Sequence, residues 1–161
     1  MPAATNCARV AARMLKLLGV TLLQPEAIVS ARVPDGAEGI GALLSELQAL
    51  LRAHYEDHVE SATRTLCVAF GPGRGIDVWL STDEGTPSSN ELHYVQELRG
   101  QVTAPEVKDG PVALAMVFSI GPEPPAEAEL CLPDDWRAII RASDTRLSVD
   151  QILMRLWSTA D

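Results

Sequence analysis

The chain has 161 residues, a formal net charge of −9 and an apolar fraction of 47%, with only 4% aromatic residues. This length and composition predict one folded domain over residues 1–161 with a mainly aliphatic core, and they exclude a disordered chain. The acidic balance argues against nucleic acid as a partner, and no apolar run approaches the roughly 18 residues needed to span a bilayer.

Cysteine usage indicates a reducing compartment. Cys7, Cys67 and Cys131 are odd in number and widely spaced, and none forms a C-x-x-C pair, so neither a zinc knuckle nor a thioredoxin-like motif is indicated. The first residues mix basic and apolar positions where a secretory signal would carry an uninterrupted apolar run. We therefore expect a cytoplasmic protein.

The N-terminal segment predicts a basic amphipathic helix from about Cys7 to Leu18, ended by Gly19. Arg9, Arg13 and Lys16 recur at helical spacing and form one positively charged stripe. We expect this stripe to lie against the acidic body of the same chain or of a second copy, with an anionic membrane as the alternative. The three basic residues are therefore candidate interface residues.

The longest periodic segment predicts a helix from Gly36 to about Glu60. Asp35 and Glu38 form a D-x-x-E variant of the capping box at its start. Before this helix, residues 20–34 fit either a short helix or an extended segment. The apolar stripe of the long helix consists of Ile40, Leu43, Leu44, Leu47, Leu50 and Leu51.

The end of this predicted helix, HYEDHVE, carries two histidines four residues apart. At 100° per residue, His54 and His58 continue the apolar stripe and face the core or a cleft. Glu56, Asp57 and Glu60 then point to the other side of the helix, so they are not ligands on the histidine face. The same pattern fits a histidine pair that simply ends the apolar stripe, with backbone carbonyls as partners.

Histidines at i and i+4 can chelate one metal ion, as in the H-E-x-x-H pattern, although the glutamate position differs here. A zinc site needs a third protein ligand. His93 is the remaining histidine, and Cys67 or Cys131 could take its place. No cofactor is predicted as such, but zinc or another divalent metal at His54, His58 and His93 is a hypothesis to test.

The apolar period changes to two after residue 64. Residues 65–70 and 76–81 alternate as the strands of a β-hairpin around the loop 71–75. Residues 111–120 predict a strand buried on both faces, and 127–132 could return beside it. The loop 71–75 is glycine-rich, but no G-K-[ST] and no helix follows it, so we interpret it as a hairpin tip and not as a phosphate-binding loop.

Three further helices are expected after the hairpin. Ser88 caps one that runs from about Asn90 to Arg99, although LHYVQEL within it also fits a strand, and Pro133 begins the second. Ser148 caps the third, which carries Trp157 on or near its inner face.

This order of elements predicts an α+β fold. We expect a mainly antiparallel sheet of about four strands with helices packed on one face and with helical N- and C-terminal ends. Trp79 alternates out of phase with Val78 and Leu80, so it falls on the second face of the sheet, where a helix or a partner must cover it.

Small size, acidity and the lack of a catalytic motif favour a non-enzymatic protein-interaction module, such as a small acidic adaptor or a chaperone-like homodimer. Such a module would bind a protein through an apolar groove or a sheet edge, and Trp79 and Trp157 are candidate interface residues beside the basic stripe. The alternative is a small metal-dependent or ligand-binding enzyme centred on His54 and His58, whose catalytic residues the sequence does not identify. A third reading is a subunit of a larger assembly.

Overall fold

A computed structural model describes residues 15–58, 60–82, 87–122 and 129–160. It confirms the α+β class, with a four-stranded antiparallel sheet and five helices over the described residues. The order is β1 (Lys16–Leu22), α1 (Glu26–Arg32), α2 (Gly36–Tyr55), β2 (Ala62–Phe70), β3 (Ile76–Ser81), α3 (Ser89–Gln101), β4 (Val112–Ile120), α4 (Asp134–Ala142) and α5 (Val149–Ala160).

The strands lie in the order β1-β4-β2-β3, and every neighbouring pair is antiparallel. The predicted hairpin is confirmed, with Phe70 opposite Ile76 and Thr65 opposite Ser81. The predicted buried strand is also confirmed, because β4 lies between β1 and β2 and all its residues are buried. The edge strands of the sheet are therefore β1 and β3.

One face of the sheet carries large apolar side chains. Residues directly opposite each other in neighbouring strands share a face, so the register assigns Leu66, Met116 and Leu80 to this first face. Helices α1, α2 and α3 pack against it through a cluster of buried side chains that includes Val29, Leu47 and Leu98. This cluster forms the larger part of the core.

The second face carries small side chains, among them Cys67, Ala69, Ala113 and Ala115. Helices α4 and α5 pack on it and supply the bulk that the strands lack: Trp136, Ile152, Leu153 and Trp157 form one buried cluster with the alanines. Helices thus cover both faces, which adds a second layer to the one-face arrangement expected from the sequence. The cause is β4, whose consecutive apolar residues leave neither face free for water.

The N-terminal prediction is corrected where the structure describes it. Lys16–Leu18, predicted as the last turn of a helix, belong to β1, with Leu17 opposite Phe118. Arg9 and Arg13 lie outside the described residues. The alternating pairing of β1 with the buried strand outweighs the local helical pattern, because β4 needs a hydrogen-bonded neighbour on each side.

The fourth strand is also different from the one expected. Residues 129–132 form no strand, and 127–128 lie outside the described part of the chain. Instead β1 takes the place beside β4. The ambiguous segment 20–34 divides at Pro25, with an extended end of β1 before it and the helix α1 after it.

Helix capping follows the sequence at two of three predicted positions. Ser88 accepts a hydrogen bond from the Glu91 N–H while the Glu91 carboxylate accepts one from the Ser88 N–H, a complete capping box. Ser148 and Gln151 exchange the same pair of bonds at α5. Asp35 makes no such bond, because its backbone is helical (φ −80°, ψ −2°) and not extended as a capping residue requires.

In the part of the chain that the structure describes, no helix combines the length and the apolar character needed to cross a membrane.

Gly121, which follows β4, lies against the backbone of residues 60–61 just before β2. Its φ is +90°, and a Cβ built there would lie 2.4 Å from the backbone oxygen of Glu60. We expect Gly121→Ala to lower the free energy of unfolding by more than about 2 kcal/mol. Gly100→Ala is the matched control: this glycine is helical and has open space around it, so the change should stabilise by about 0.5–1 kcal/mol. Urea unfolding of both variants measures the difference, and equal effects would contradict the close approach.

Candidate functional site

The histidine pair does not occupy the position expected from the sequence. Helix α2 ends at Tyr55, and its buried face continues from Leu47 and Leu51 to Tyr55. His54 is therefore beside the buried stripe and half-buried, and His58 lies beyond the helix. His54 and Tyr55 lie three and four residues after Leu51, and both steps fit an apolar stripe. Tyr55 takes the inward position because its apolar surface is larger.

The aromatic neighbours of the histidines are clear. The His54 ring stacks on Tyr94 of α3, with centroids 3.8 Å apart, and the His58 ring meets the Tyr55 ring edge-on. Burial lowers the pKa of His54, so the neutral ring is favoured. These contacts describe rings that pack at the junction of α2 and α3.

His93 lies on the outer side of α3, with 78% of its side chain exposed and its Nε2 3.1 Å from Glu97 Oε1. Over the described residues, no group of three or more His, Cys, Asp or Glu side chains is arranged to hold a metal ion. A zinc site at His54, His58 and His93 thus has no support from the arrangement of the described ligands, and it stays a sequence prediction.

Metal binding by the histidines can be tested directly. We expect His54→Ala to destabilise the protein by about 1 kcal/mol through the lost ring contacts, and we expect added zinc to leave the melting temperature of both proteins unchanged. Metal content by mass spectrometry and thermal unfolding with EDTA or zinc provide the measurement. A zinc-dependent rise in melting temperature that His54→Ala abolishes would favour the metal hypothesis instead.

A buried ionic cluster joins α2, β2 and α3. The Glu91 carboxylate accepts hydrogen bonds from Tyr55 Oη at 2.6 Å, from Arg64 Nε at 2.9 Å and from the Ser88 N–H at 3.2 Å. Burial by itself would raise the pKa of Glu91, but the bonds from Arg64, Tyr55 and Ser88 outweigh it and hold the pKa at about 2. All the strong donors here are already used within the protein, so the cluster serves to fix three elements together.

The low pKa of Glu91 predicts an acid-dependent loss of stability. Because the folded pKa of about 2 lies below the value of about 4.3 for an unfolded chain, the carboxylate stabilises the fold above that pH. Its contribution is lost as the pH falls from about 4 to about 2. We expect Glu91→Gln to destabilise by about 3 kcal/mol at neutral pH and to flatten the decline in stability between pH 4 and 2.

Glu97→Gln is the matched control on the same helix, because its carboxylate is exposed and forms an ion pair with the exposed His93. Urea unfolding measured across this pH range should show little change for the control. A wild-type pH dependence retained in Glu91→Gln would contradict the assignment.

A second ionic cluster ties the two helical layers together at one end of the sheet. Arg32 of α1 donates to both carboxylate oxygens of Asp150 on α5, at 3.0 and 2.7 Å, and to the Pro111 carbonyl at 2.7 Å. The buried Gln24 side chain donates to the same two partners. Gly110 lies so close that a Cβ there would be 2.7 Å from Arg32 Cζ. Like the Glu91 cluster, this one is fully occupied by its own partners.

The β3 edge of the sheet is the third feature of interest, because its polar groups are partly exposed. β3 pairs with β2 on one side, and no other described strand pairs with it on the other. Arg99 extends from α3, on the first face, yet its guanidinium lies 3.6 Å from Asp77, which shares the second face with Ala69. The Arg99 side chain therefore wraps around the outer edge of β3, where Nη2 donates to the Val78 carbonyl at 3.1 Å.

A cleft of about 880 Å³ opens on the second-face side of this edge. Trp157 forms part of its wall and is fixed by a hydrogen bond from its Nε1 to Asp77 at 2.7 Å and by the Arg74 guanidinium, 4.4 Å above its ring. Trp79 meets Trp136 edge-on, with centroids 5.4 Å apart, and turns its remaining surface to the cleft. The apolar lining comprises Trp79, Ala138, Ile139, Ala142, Met154, Leu156 and Trp157.

A second cavity of about 320 Å³ lies along the same strand, between β3, α3 and the start of α4. Its apolar lining includes Leu80, Val95 and the exposed Leu92, and it shares Trp79, Arg99 and Asp135 with the larger cleft. We call the two cavities and the β3 edge between them the edge groove. The two volumes fall within the range of about 300–1,000 Å³ that is typical of ligand pockets.

The edge groove contains only part of the predicted interface. Trp79 and Trp157 line it, although Trp157 is largely buried. Lys16 is exposed on β1, at the opposite edge of the sheet. Arg99 and Asp135 were not identified from the sequence, because nothing local distinguishes them from other surface charges; only the packing of α3 and α4 around β3 brings them together.

Comparison of the chain with protein-family models, with curated proteins and with solved structures gave no match.

Proposed function

We propose that this protein is a non-enzymatic interaction module, a small acidic adaptor that receives a polypeptide segment of a partner protein in the edge groove. The observation that carries the proposal is the β3 edge, with which no described strand other than β2 pairs, flanked by the tryptophan-lined cleft on one side and by a smaller cavity of mixed polar and apolar lining on the other. Sheet edges and aromatic-lined grooves are two of the main ways in which proteins recognise peptides. Tryptophan is also prominent among residues that dominate binding energy.

The polar groups favour binding over catalysis. The carboxylates whose pKa values are lowered, Glu91 and Asp150, owe this to hydrogen bonds from Arg64 and Arg32, and neither lines the edge groove. Within the groove, Asp77 already accepts the Trp157 N–H and pairs with Arg99. Asp135, the groove carboxylate that has no ion-pair partner among the described residues, is exposed to water and is available to a basic side chain of a partner.

The setting of the module follows from its charge and its cysteines. A net charge of −9 favours a protein partner over nucleic acid. Cys67 is a free, buried cysteine, and the absence of a disulfide in this core position suits the reducing cytoplasm in which we place the protein. A second copy of the chain is one such partner, as expected for a chaperone-like homodimer.

Peptide selection tests the proposal. A displayed library of random peptides of about eight residues should yield sequences that bind the purified protein. We expect Ala138→Trp, which fills the cleft from an exposed position of α4, to weaken their binding at least about tenfold. Ala42→Trp makes the same change at an exposed position of α2 and should leave the binding unchanged.

Failure to enrich any peptide would contradict the proposal, as would peptides that bind Ala138→Trp and wild type equally well. Sedimentation equilibrium of the free protein identifies self-association: a species of twice 17.3 kDa that Ala138→Trp dissociates would show that a second copy occupies the groove.

A further inference from the structure

We infer that the segment bound in the edge groove is extended, that it joins β3 as a fifth strand, and that it carries an apolar side chain for the tryptophan-lined cleft and a basic side chain for Asp135. The inference rests on the proposed function and specifies the chemistry of the partner: a basic, apolar stretch of another protein.

The first step concerns the backbone of β3. The N–H and C=O of one strand residue point to the same side in an antiparallel ladder, and the direction alternates along the strand. Arg99 reaches the Val78 carbonyl from the outer edge, so the backbone N–H and C=O of Val78 point away from β2. The backbone groups of Ile76 and Leu80 point the same way. The backbone groups of Asp77 and Trp79 then point toward β2. Val78 is fully buried in the free protein and Leu80 is largely buried, so a strand laid along β3 can exchange hydrogen bonds with these alternate residues once the Arg99 side chain has moved away.

The second step concerns Arg99, which covers the Val78 carbonyl in the free protein. A charged side chain across an open edge is a common protection against unwanted strand pairing. Its hold is weak here, because the side chain is 39% exposed and the pair with Asp77 spans 3.6 Å, so releasing it costs little. An incoming strand replaces the guanidinium with a backbone N–H.

The third step concerns the two cavities. They lie on either side of the β3 edge, the larger against α4 and α5 and the smaller against α3. Successive side chains of a strand point to opposite faces. An extended segment therefore places alternate side chains in the two cavities, whereas a helix about 10 Å wide would leave the outward backbone groups of β3 unpaired.

The fourth step concerns charge. Asp135 lines both cavities, and among the described residues it has no ion-pair partner, whereas its neighbour Asp134 pairs with Arg137. The two cations at the rim, Arg99 and Arg155, are engaged within the protein. Asp135 and Ile139 are one helical turn apart, about 6 Å, and strand side chains on one face are about 6.7 Å apart. A lysine or arginine two residues from the apolar side chain is thus in reach of Asp135.

The most frequently selected peptide from the library, synthesised with a fluorescent label, is the probe for strand addition. Two N-methylated forms are compared, one with methyl groups on the odd-numbered amides and one on the even-numbered amides. A strand presents alternate amides to each edge, so we expect one form to bind at least about tenfold more weakly and the other to bind like the parent. Equal binding of the two methylated forms would overturn strand addition.

Amide hydrogen exchange gives an independent readout on the protein. Binding of the same peptide should slow exchange at Val78 and Leu80 by at least about tenfold, while Trp79, already paired with β2, serves as the internal reference. Unchanged exchange at Val78 and Leu80 in a saturated complex would indicate a helical occupant or another mode of binding, and would also overturn the inference.

The basic side chain is tested with Asp135→Asn. We expect this variant to bind the peptide about threefold more weakly, and to bind a peptide whose basic residue is replaced by glutamine as wild type does. Asp144→Asn, which removes an exposed carboxylate that lines neither cavity, is the control and should bind normally. Selected peptides without an excess of lysine and arginine, or an equal effect of both variants, would overturn the charge assignment. Each of these results would overturn the inference while peptides still bound in the groove. The proposed function fails on a different result, namely that no selected peptide loses affinity for Ala138→Trp.

Discussion

The fold depends on the burial of β4 on both faces. Its nine residues, VALAMVFSI, are all buried, and they separate β1 from the β2–β3 hairpin. A strand in this position requires a neighbour at each edge for its backbone and a helical layer over each face for its side chains. The two helical layers, and the place of β1 in the sheet, follow from that requirement.

The two layers differ because the two faces of the strands differ. Large residues such as Leu66 and Phe118 fill the space beneath α1 to α3, whereas Ala69 and Ala113 leave the volume for tryptophans from α4 and α5. Both layers extend to β3, and together they form the walls of the edge groove. The geometry of the groove is thus a product of how the core is divided between strands and helices.

Local patterns allowed much of the fold to be predicted. The hairpin and β4 depend on apolar periodicity, and the Ser88 and Ser148 caps depend on hydrogen bonds between residues three apart. Both kinds of signal can be recognised in a single sequence. The strand β1 could not be predicted in this way, since its residues also fit a helix and only pairing with β4 decides between the two. Tyr55 displaced the histidines from the inward position for a similar reason: its partners Glu91 and Arg64 come from other elements.

The candidate site was less accessible from sequence than the fold. Trp79 was placed on the second face by its phase within the strand, which the pairing with Cys67 supports. Arg99 and Asp135 belong to different helices, and their approach at one edge depends on how α3 and α4 sit over β3. Such a relation has no signature in the spacing of residues along a single chain.

The small side chains of the second face have a consequence for synthesis of the protein. The four strands of the described sheet precede α4 and α5 in the chain. On the ribosome the sheet can therefore form while its second face still lacks those helices, for a time on the order of seconds at about 5–20 residues per second. Apart from Trp79 and Val117, the strand residues of this face are small or polar and present little apolar area to water during that interval. The other bulky residues of this half of the core, such as Trp136 and Trp157, arrive attached to the helices themselves. The division of volume between strands and helices therefore limits the exposed apolar surface through which the nascent chain could aggregate with other proteins.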